Sequence, residues 1–182
     1  MADDAESSAR IAQAVVIAKV YNSRVALQRA LRSHSSSDSA GEIEQTVNHL
    51  GQLLGVLASP QPLAVVRGIE GEAARRYFQV FRHLILTQKE DFPFEERNRR
   101  PPLDNMNALL SFLYTLLVHD VSSALESVGL DPAVGFLHRD RPGRPGLALD
   151  LMEELRPYLG DRLALSLVNL KQITGAGFQK TE

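Results

Sequence analysis

Apolar residues recur every three or four positions along almost the whole chain, and alternation of period two is nearly absent. That pattern dictates stacked helices with one buried stripe each and leaves little room for a sheet. From Arg10 to Leu31, Ile11, Val15, Ala18 and Val25 mark one stripe, with Lys and Arg between them. Ser33 to Gly41 is serine-rich and reads as a loop. Glu42 to Leu57 gives a second helix with Ile43, Val47, Leu50, Leu54 and Leu57 inward. Ser59-Pro60-Gln61-Pro62 interrupts the pattern and primes a third helix, about Leu63 to Leu86, because proline suits a first helical turn. The charged, proline-flanked stretch from Gln88 to Pro102 should be an exposed loop. Asp104 or a neighbour can cap a fourth helix, whose Leu109, Leu110, Leu113, Leu116, Leu117 and Val121 make it the most apolar segment. Asp131-Pro132 suggests a short helix, and Leu147 to Asn169 a last one bent near Pro157. The expectation is an all-α domain of six or seven helices around a central apolar helix near 104–126. The helical domain spans 10–174, between a linker or start at 1–9 and a truncated tail at 175–182.

A length of 182 residues supports a full core. The chain has no cysteine, so disulfide scaffolds, thiolate zinc sites, iron–sulfur clusters and cysteine nucleophiles are excluded. Lysine and arginine number 20 against 22 acidic residues. This balance argues against a bulk polyanion binder but leaves room for a local basic groove. No run of about 18–20 uninterrupted apolar residues occurs, and the acidic start Met1-Ala-Asp-Asp lacks the features of a signal peptide. The chain therefore reads as cytoplasmic, with no membrane partner.

Glu70 stands between Gly68 and Gly71 inside a helical pattern, where each glycine costs ~1 kcal/mol relative to alanine. Bare backbone there suits close approach by another helix or by a phosphate backbone. The plainer reading is a solvated glutamate beside a packing notch. His138 precedes a basic, turn-rich loop. Asp150 and Glu153, at i,i+3, share one helix face, or else form an ordinary acidic face balanced by Arg144 or Arg156. One imidazole with two or three carboxylates, and no thiolate, would suit magnesium or manganese. Arginines cluster beside these residues: Arg75 and Arg76, then Arg97, Arg99 and Arg100, then Arg139, Arg141 and Arg144. Their planar forks match phosphate. Phosphate-loop, dinucleotide, nucleophile-elbow and His-Glu-x-x-His motifs are all absent. His34, His49, His83 and His119 have no ligand partners nearby in sequence.

Three segments carry a family resemblance. Arg67-Gly-Ile-Glu-Gly-Glu-Ala-Ala-Arg-Arg-Tyr-Phe78 resembles the Glu motif of the CRISPR-associated integrase family Cas-one. Arg99-Arg-Pro-Pro-Leu-Asp-Asn-Met-Asn-Ala-Leu-Leu-Ser-Phe-Leu-Tyr-Thr-Leu-Leu117 resembles its central helix. Val134-Gly-Phe-Leu-His-Arg139 with Leu149-Asp-Leu-Met-Glu-Glu-Leu-Arg-Pro157 resembles its His and acidic motifs. The resemblance covers nearly the whole chain. Asn105-Met106 departs from the Pro-Val common in the family.

The resemblance implies a metal-dependent DNA endonuclease and integrase that inserts new spacers into a CRISPR array by attack of a DNA 3′-hydroxyl on a repeat phosphodiester. It places manganese or magnesium on Glu70, His138 and Glu153, with Asp150 in the same site and open as a competing ligand. Arg75, Asn107 and Tyr114 fall on positions expected near DNA or metal, and the loop arginines on positions expected at phosphates. It further implies protospacer and repeat DNA, the small protein Cas-two and a second copy as partners of the intact protein. The β-rich N-terminal domain of the family, on the order of a hundred residues, has no counterpart here. The 182 residues are therefore expected to bind metal but to integrate poorly alone. The competing reading is a non-catalytic helical module that binds a protein or DNA.

Overall fold

The computed structural model describes residues 4–33, 39–138 and 142–179. Among these residues the regular structure is helical, without strands: α1 (Ala5–Ser33), α2 (Ala40–Val56), α3 (Leu63–Phe81), α4 (Asn105–Ser127), α5 (Gly146–Leu155) and α6 (Arg162–Asn169). A 3-10 turn, Arg82–Leu84, extends α3, and a second lies at Gly175–Gly177. Helix α1 begins at Ala5, so part of the expected linker at 1–9 is helical. The short helix expected at Asp131-Pro132 is instead a turn, in which the Ala133 amide donates to Asp131 Oδ1 at 2.9 Å. That local bond competes with helix continuation.

The hub is α1, which packs on α2, α3, α5 and the turn that follows α5. Ala12, Val16, Val20 and Leu27 are fully buried, a stripe one position away from the Ile11, Val15 register read from the sequence. Gln13 of α1 clamps the α2–α3 turn. Its amide nitrogen donates to the Leu57 and Ser59 carbonyls at 2.8 and 2.9 Å, and its oxygen accepts from the Gln61 amide at 2.9 Å. Inside α2, Ile43, Val47, Leu50 and the following Leu57 are buried.

Helix α4 is not the central helix that its composition suggested. Met106, Leu109, Leu110 and Leu125 are buried apolar positions, whereas Phe112 and Leu116 are 60% and 47% exposed. Apolar content measures how much a helix could bury, and α4 has too few neighbours to use it. It is the one described helix long and apolar enough to cross a bilayer, although its inner face packs on α5 and α6. The segment from 88 to 102 is likewise not a simple exposed loop. Phe92 and Phe94 are buried, and Phe94 joins a cluster with Phe78 and Phe81, its ring centroid 4.9 Å from that of Phe81.

The bend expected at Pro157 is a single π-helical segment, Arg156–Asp161. Proline has no amide hydrogen, and its ring clashes with the carbonyl four residues back, so the helix widens there. Gly160 then lies under Tyr114, where an added Cβ would stand 2.8 Å from the ring. The Tyr114 hydroxyl donates a short hydrogen bond to Asp161, and the Arg97 and Arg156 guanidinium groups lie 5.4 and 5.0 Å from the Tyr114 ring centroid. Burial pushes the Asp161 carboxyl up to about 6, against the downward pull of the two tyrosine hydroxyls (Tyr114 and Tyr77) and of Arg156 and Arg97.

Asp161 therefore keeps its proton in the folded state at pH values where the unfolded chain, near 3.8, has released it. Its contribution to stability is full below about 3.8 and is lost as pH rises towards about 6. Urea unfolding from pH 3.5 to 7 is expected to show this loss in the wild type and not in Asp161→Asn. Parallel profiles for the two proteins would contradict it.

Candidate metal centre

The site forms where α1, α3, α5 and the 131–138 segment meet. Asp150, on α5, is 1% exposed. Its carboxylate accepts from three successive backbone amides, Phe136 at 2.6 Å, Leu137 at 2.9 Å and His138 at 3.0 Å. It also accepts from the His138 ring, with Nδ1 2.6 Å from Oδ1. A carboxylate can only accept here, so a proton sits on Nδ1 and Nε2 is the ring nitrogen turned towards the rest of the site. Four donors on one carboxylate make Asp150 the residue that orients His138 and leave it poorly placed to compete as a ligand.

Glycines make this approach possible. A Cβ on Gly135 would stand 2.7 Å from the Gly146 carbonyl carbon, and one on Gly146 would stand 2.7 Å from the Ala133 carbonyl oxygen. The Pro132 carbonyl accepts from the Leu147 amide at 2.8 Å, closing the segment over the first turn of α5. From α3, Arg67 Nε donates to the Leu137 carbonyl at 2.6 Å.

Glu153, one turn from Asp150, is 2% exposed at its side chain. His138 Nε2 lies 3.7 Å from its Oε1, and Arg156 Nη1 lies 3.1 Å from the same oxygen. Its Oε2 is buried, and Lys19 Nζ of α1 stands 2.5 Å away as an ion pair. Lys19 also forms a close ion pair with Glu70 of α3. Burial raises the Glu153 carboxyl, but Lys19, Arg156 and His138 outweigh it and hold the group below its ordinary value. The donor chemistry, two carboxylates and an imidazole nitrogen, fits magnesium or manganese. Among the described residues no three such donors converge on one point as the side chains stand, and the Lys19 ammonium pairs with both Glu70 and Glu153.

The structure thus brings Glu70, His138, Asp150 and Glu153 together. Lys19 was missed because a lone lysine in a helix reads as solvated; its signal was its phase, shared with buried Val16, Val20 and Ser23.

The other expected positions separate. Arg97 is turned inward by burial and bonding: its Nη1 donates to Asn107 Oδ1 at 2.8 Å and its Nη2 to Ser111 Oγ at 3.1 Å. Asn107 is fully buried and donates to the Glu96 carbonyl at 2.9 Å, while Asp104 caps α4 by accepting from the Asn107 amide at 2.7 Å. The Tyr114 hydroxyl is engaged by Asp161. These bonds tie the 88–104 segment to α4, and α4 to Asp161. Arg75 and Arg76 are tied to Glu72 at 2.9 and 3.0 Å and hold its carboxyl down to about 2. Arg99 and Arg100 are exposed and Arg144 is half-buried. Arg139, Arg141 and His34 lie outside the described residues. His49 and His83 each lie against a glutamate, Glu72 and Glu42.

Gly68 and Gly71 do not form a helix–helix notch. Both are exposed, and a Cβ at either would meet nothing within 4 Å. Gly71→Ala is therefore expected to raise stability by up to ~1 kcal/mol through helix propensity. Gly135→Ala is expected to lower it by about 1–3 kcal/mol through overpacking. Thermal melts of the two variants check this contrast, and a destabilised Gly71→Ala would contradict the open surface beside Glu70.

Comparison with known proteins places this chain in a family. All residues, 1–182, match the family model described as CRISPR associated protein Cas1. A CRISPR-associated endonuclease Cas1 of Chlorobaculum tepidum is 50% identical over 182 residues, which are 100% of this chain and 53% of that protein. One from Rhodospirillum rubrum is 55% identical over 181 residues, 97% of this chain and 53% of that protein. The chain thus spans about half the length of these relatives. Among solved structures, a casposase bound to integration product matches with TM-score 0.82 and 28% identity, over 100% of this chain and 48% of that one. A partial Cas6-RT-Cas1–Cas2 complex matches with TM-score 0.85 and 30% identity, over 100% of this chain and 52% of that one. The match along its whole length shows that this chain belongs to the Cas1 family.

Proposed function

We propose that this chain is the metal-binding, DNA-processing helical part of a CRISPR adaptation integrase, with Glu70, His138 and Glu153 as ligands of manganese or magnesium. The observation that carries the reading is the meeting of buried Glu153 with half-buried Glu70 and His138, with Asp150 behind the imidazole. Membership of the Cas1 family and the likeness to a casposase bound to integration product support it. A bound divalent cation would polarise a phosphoryl oxygen and stabilise the attacking or leaving oxygen of an in-line displacement.

The residues of the chain supply the rest. Asp150 fixes the tautomer and direction of His138. Arg156 offsets the charge of Glu153 and, stacked on Tyr114, keeps that carboxylate in place. Gly68 and Gly71 leave the α3 surface low beside Glu70, where a phosphate backbone can approach. Arg99, Arg100 and Arg144, with Arg139 and Arg141, are the guanidinium groups assigned to phosphates. A DNA 3′-hydroxyl then forms a new bond to a repeat phosphorus as the bond to the departing 3′-oxygen breaks. Double-stranded protospacer and repeat DNA, Cas2 and a second Cas1 copy are the proposed partners of the intact cytoplasmic protein. The likeness to Cas1–Cas2 complexes supports the Cas2 assignment.

Glu70→Gln, His138→Ala and Glu153→Gln in the intact protein are each expected to lower manganese-dependent strand transfer at least about a hundredfold. Asp150→Asn, acting through His138, is expected to weaken metal affinity about 10–100-fold. The 182 residues alone are expected to bind manganese and transfer strands poorly. Undiminished transfer by His138→Ala, or efficient half-site integration by the 182 residues alone, would contradict the reading.

A further inference from the structure

The place between Glu70 and Glu153 is filled by this chain's own Lys19. The lysine side chain is 8% exposed, and its ammonium pairs with both carboxylates. An ion ligated by Glu70 and Glu153 would bridge the same two groups, so ammonium and ion cannot both stand there. Resting on the metal-site reading above, we infer that metal binding in this protein is an exchange of cations. Lys19 clamps the two glutamates together in the metal-free state and withdraws from between them when the divalent ion enters.

Three observations carry this. First, Lys19 comes from α1, whereas Glu70 and Glu153 come from α3 and α5. The ammonium therefore ties three helices and would keep the carboxylates from repelling each other before metal arrives. Second, the donors fail to converge on a common point while Lys19 lies between them. Third, the charge count disfavours simultaneous occupancy. Glu70, Asp150 and Glu153 face Lys19 and Arg156, so a divalent ion added with the ammonium still in place would carry the cluster past neutrality. Repulsion between like charges at a few ångström in a buried site is strong. A four-carbon stem lets the ammonium move while its helix stays put. A DNA phosphate, delivered to the same opening, is the anion chemically suited to receive it. Lys19 is thus a positioning residue: it preorganises the glutamates and competes with the metal it makes room for.

The test is manganese titration of the 182-residue protein, read from the spectrum of free Mn2+ by electron paramagnetic resonance at fixed pH and ionic strength. Wild type, Lys19→Met and His138→Ala are compared. Lys19→Met is expected to bind about tenfold more tightly than wild type, to melt at a lower temperature without metal, and to gain more thermal stability from manganese than wild type gains. Unchanged or weaker binding by folded Lys19→Met would overturn the exchange while leaving the metal site intact. No binding by wild type, or full binding by His138→Ala, would overturn the metal-site reading on which the exchange rests. If Lys19→Met does not fold without metal, recovery of its helical circular dichroism on refolding with manganese supports the exchange. Lys19→Gln, which keeps a hydrogen-bond donor, decides the matter by the same titration if no recovery occurs: tighter binding supports the exchange and unchanged binding overturns it.

Discussion

A carboxylate can be buried as an anion among helices only with cations or several hydrogen-bond donors beside it. Glu153 meets that requirement with Lys19 on one oxygen and Arg156 on the other, and His138 lies beyond. The pairing determines much of the surrounding architecture. It draws α1 against α5, brings Glu70 of α3 to the far side of Lys19, and leaves the imidazole of His138 facing the same carboxylate. A cluster built to neutralise buried acids is also chemically close to a cation site, since the groups that hold an ammonium are those that hold a hard metal ion.

The framework around this cluster is arranged to keep its members from relaxing. Asp150 consumes three backbone amides that would otherwise lack partners in a segment without regular structure. The Gly135–Gly146 contact allows that segment to approach α5 closely enough to be read by one carboxylate. Downstream, the π-helical segment brings Gly160 and Asp161 against Tyr114, while Arg156 spans from Glu153 to the Tyr114 ring. The candidate metal centre and the Tyr114 cluster behind it therefore share one guanidinium.

Much of this was legible in the sequence, and the remainder was hidden for physical reasons. Helical periodicity disclosed the class and most of the elements because burying one stripe imposes a period near 3.6. The proline at 62 and the cap at Asp104 marked helix starts, since both act through local backbone chemistry. The family motifs singled out Glu70, His138, Asp150 and Glu153. The place of α4 was misjudged because composition does not say which neighbours exist to cover a face. Asn107 is fully buried, and Arg97 and Tyr114 are half-buried with their polar ends bonded within the chain, an arrangement set by tertiary packing and not legible in residue type. Lys19 escaped notice for the same reason. A lysine is rarely buried, and only its two glutamate partners, 51 positions away in one case, justify its place.

The proposed cation position is defined by Glu70, Glu153 and His138 Nε2, with Asp150 standing behind the imidazole. The measurement that tests it most directly is anomalous diffraction from crystals grown or soaked with manganese. The account predicts a single strong peak within ligand distance of the two glutamates and His138 Nε2, with Asp150 still bound to the amides of residues 136–138. A peak ligated by Asp150 in place of Glu153, or manganese bound only outside this cluster, would contradict it.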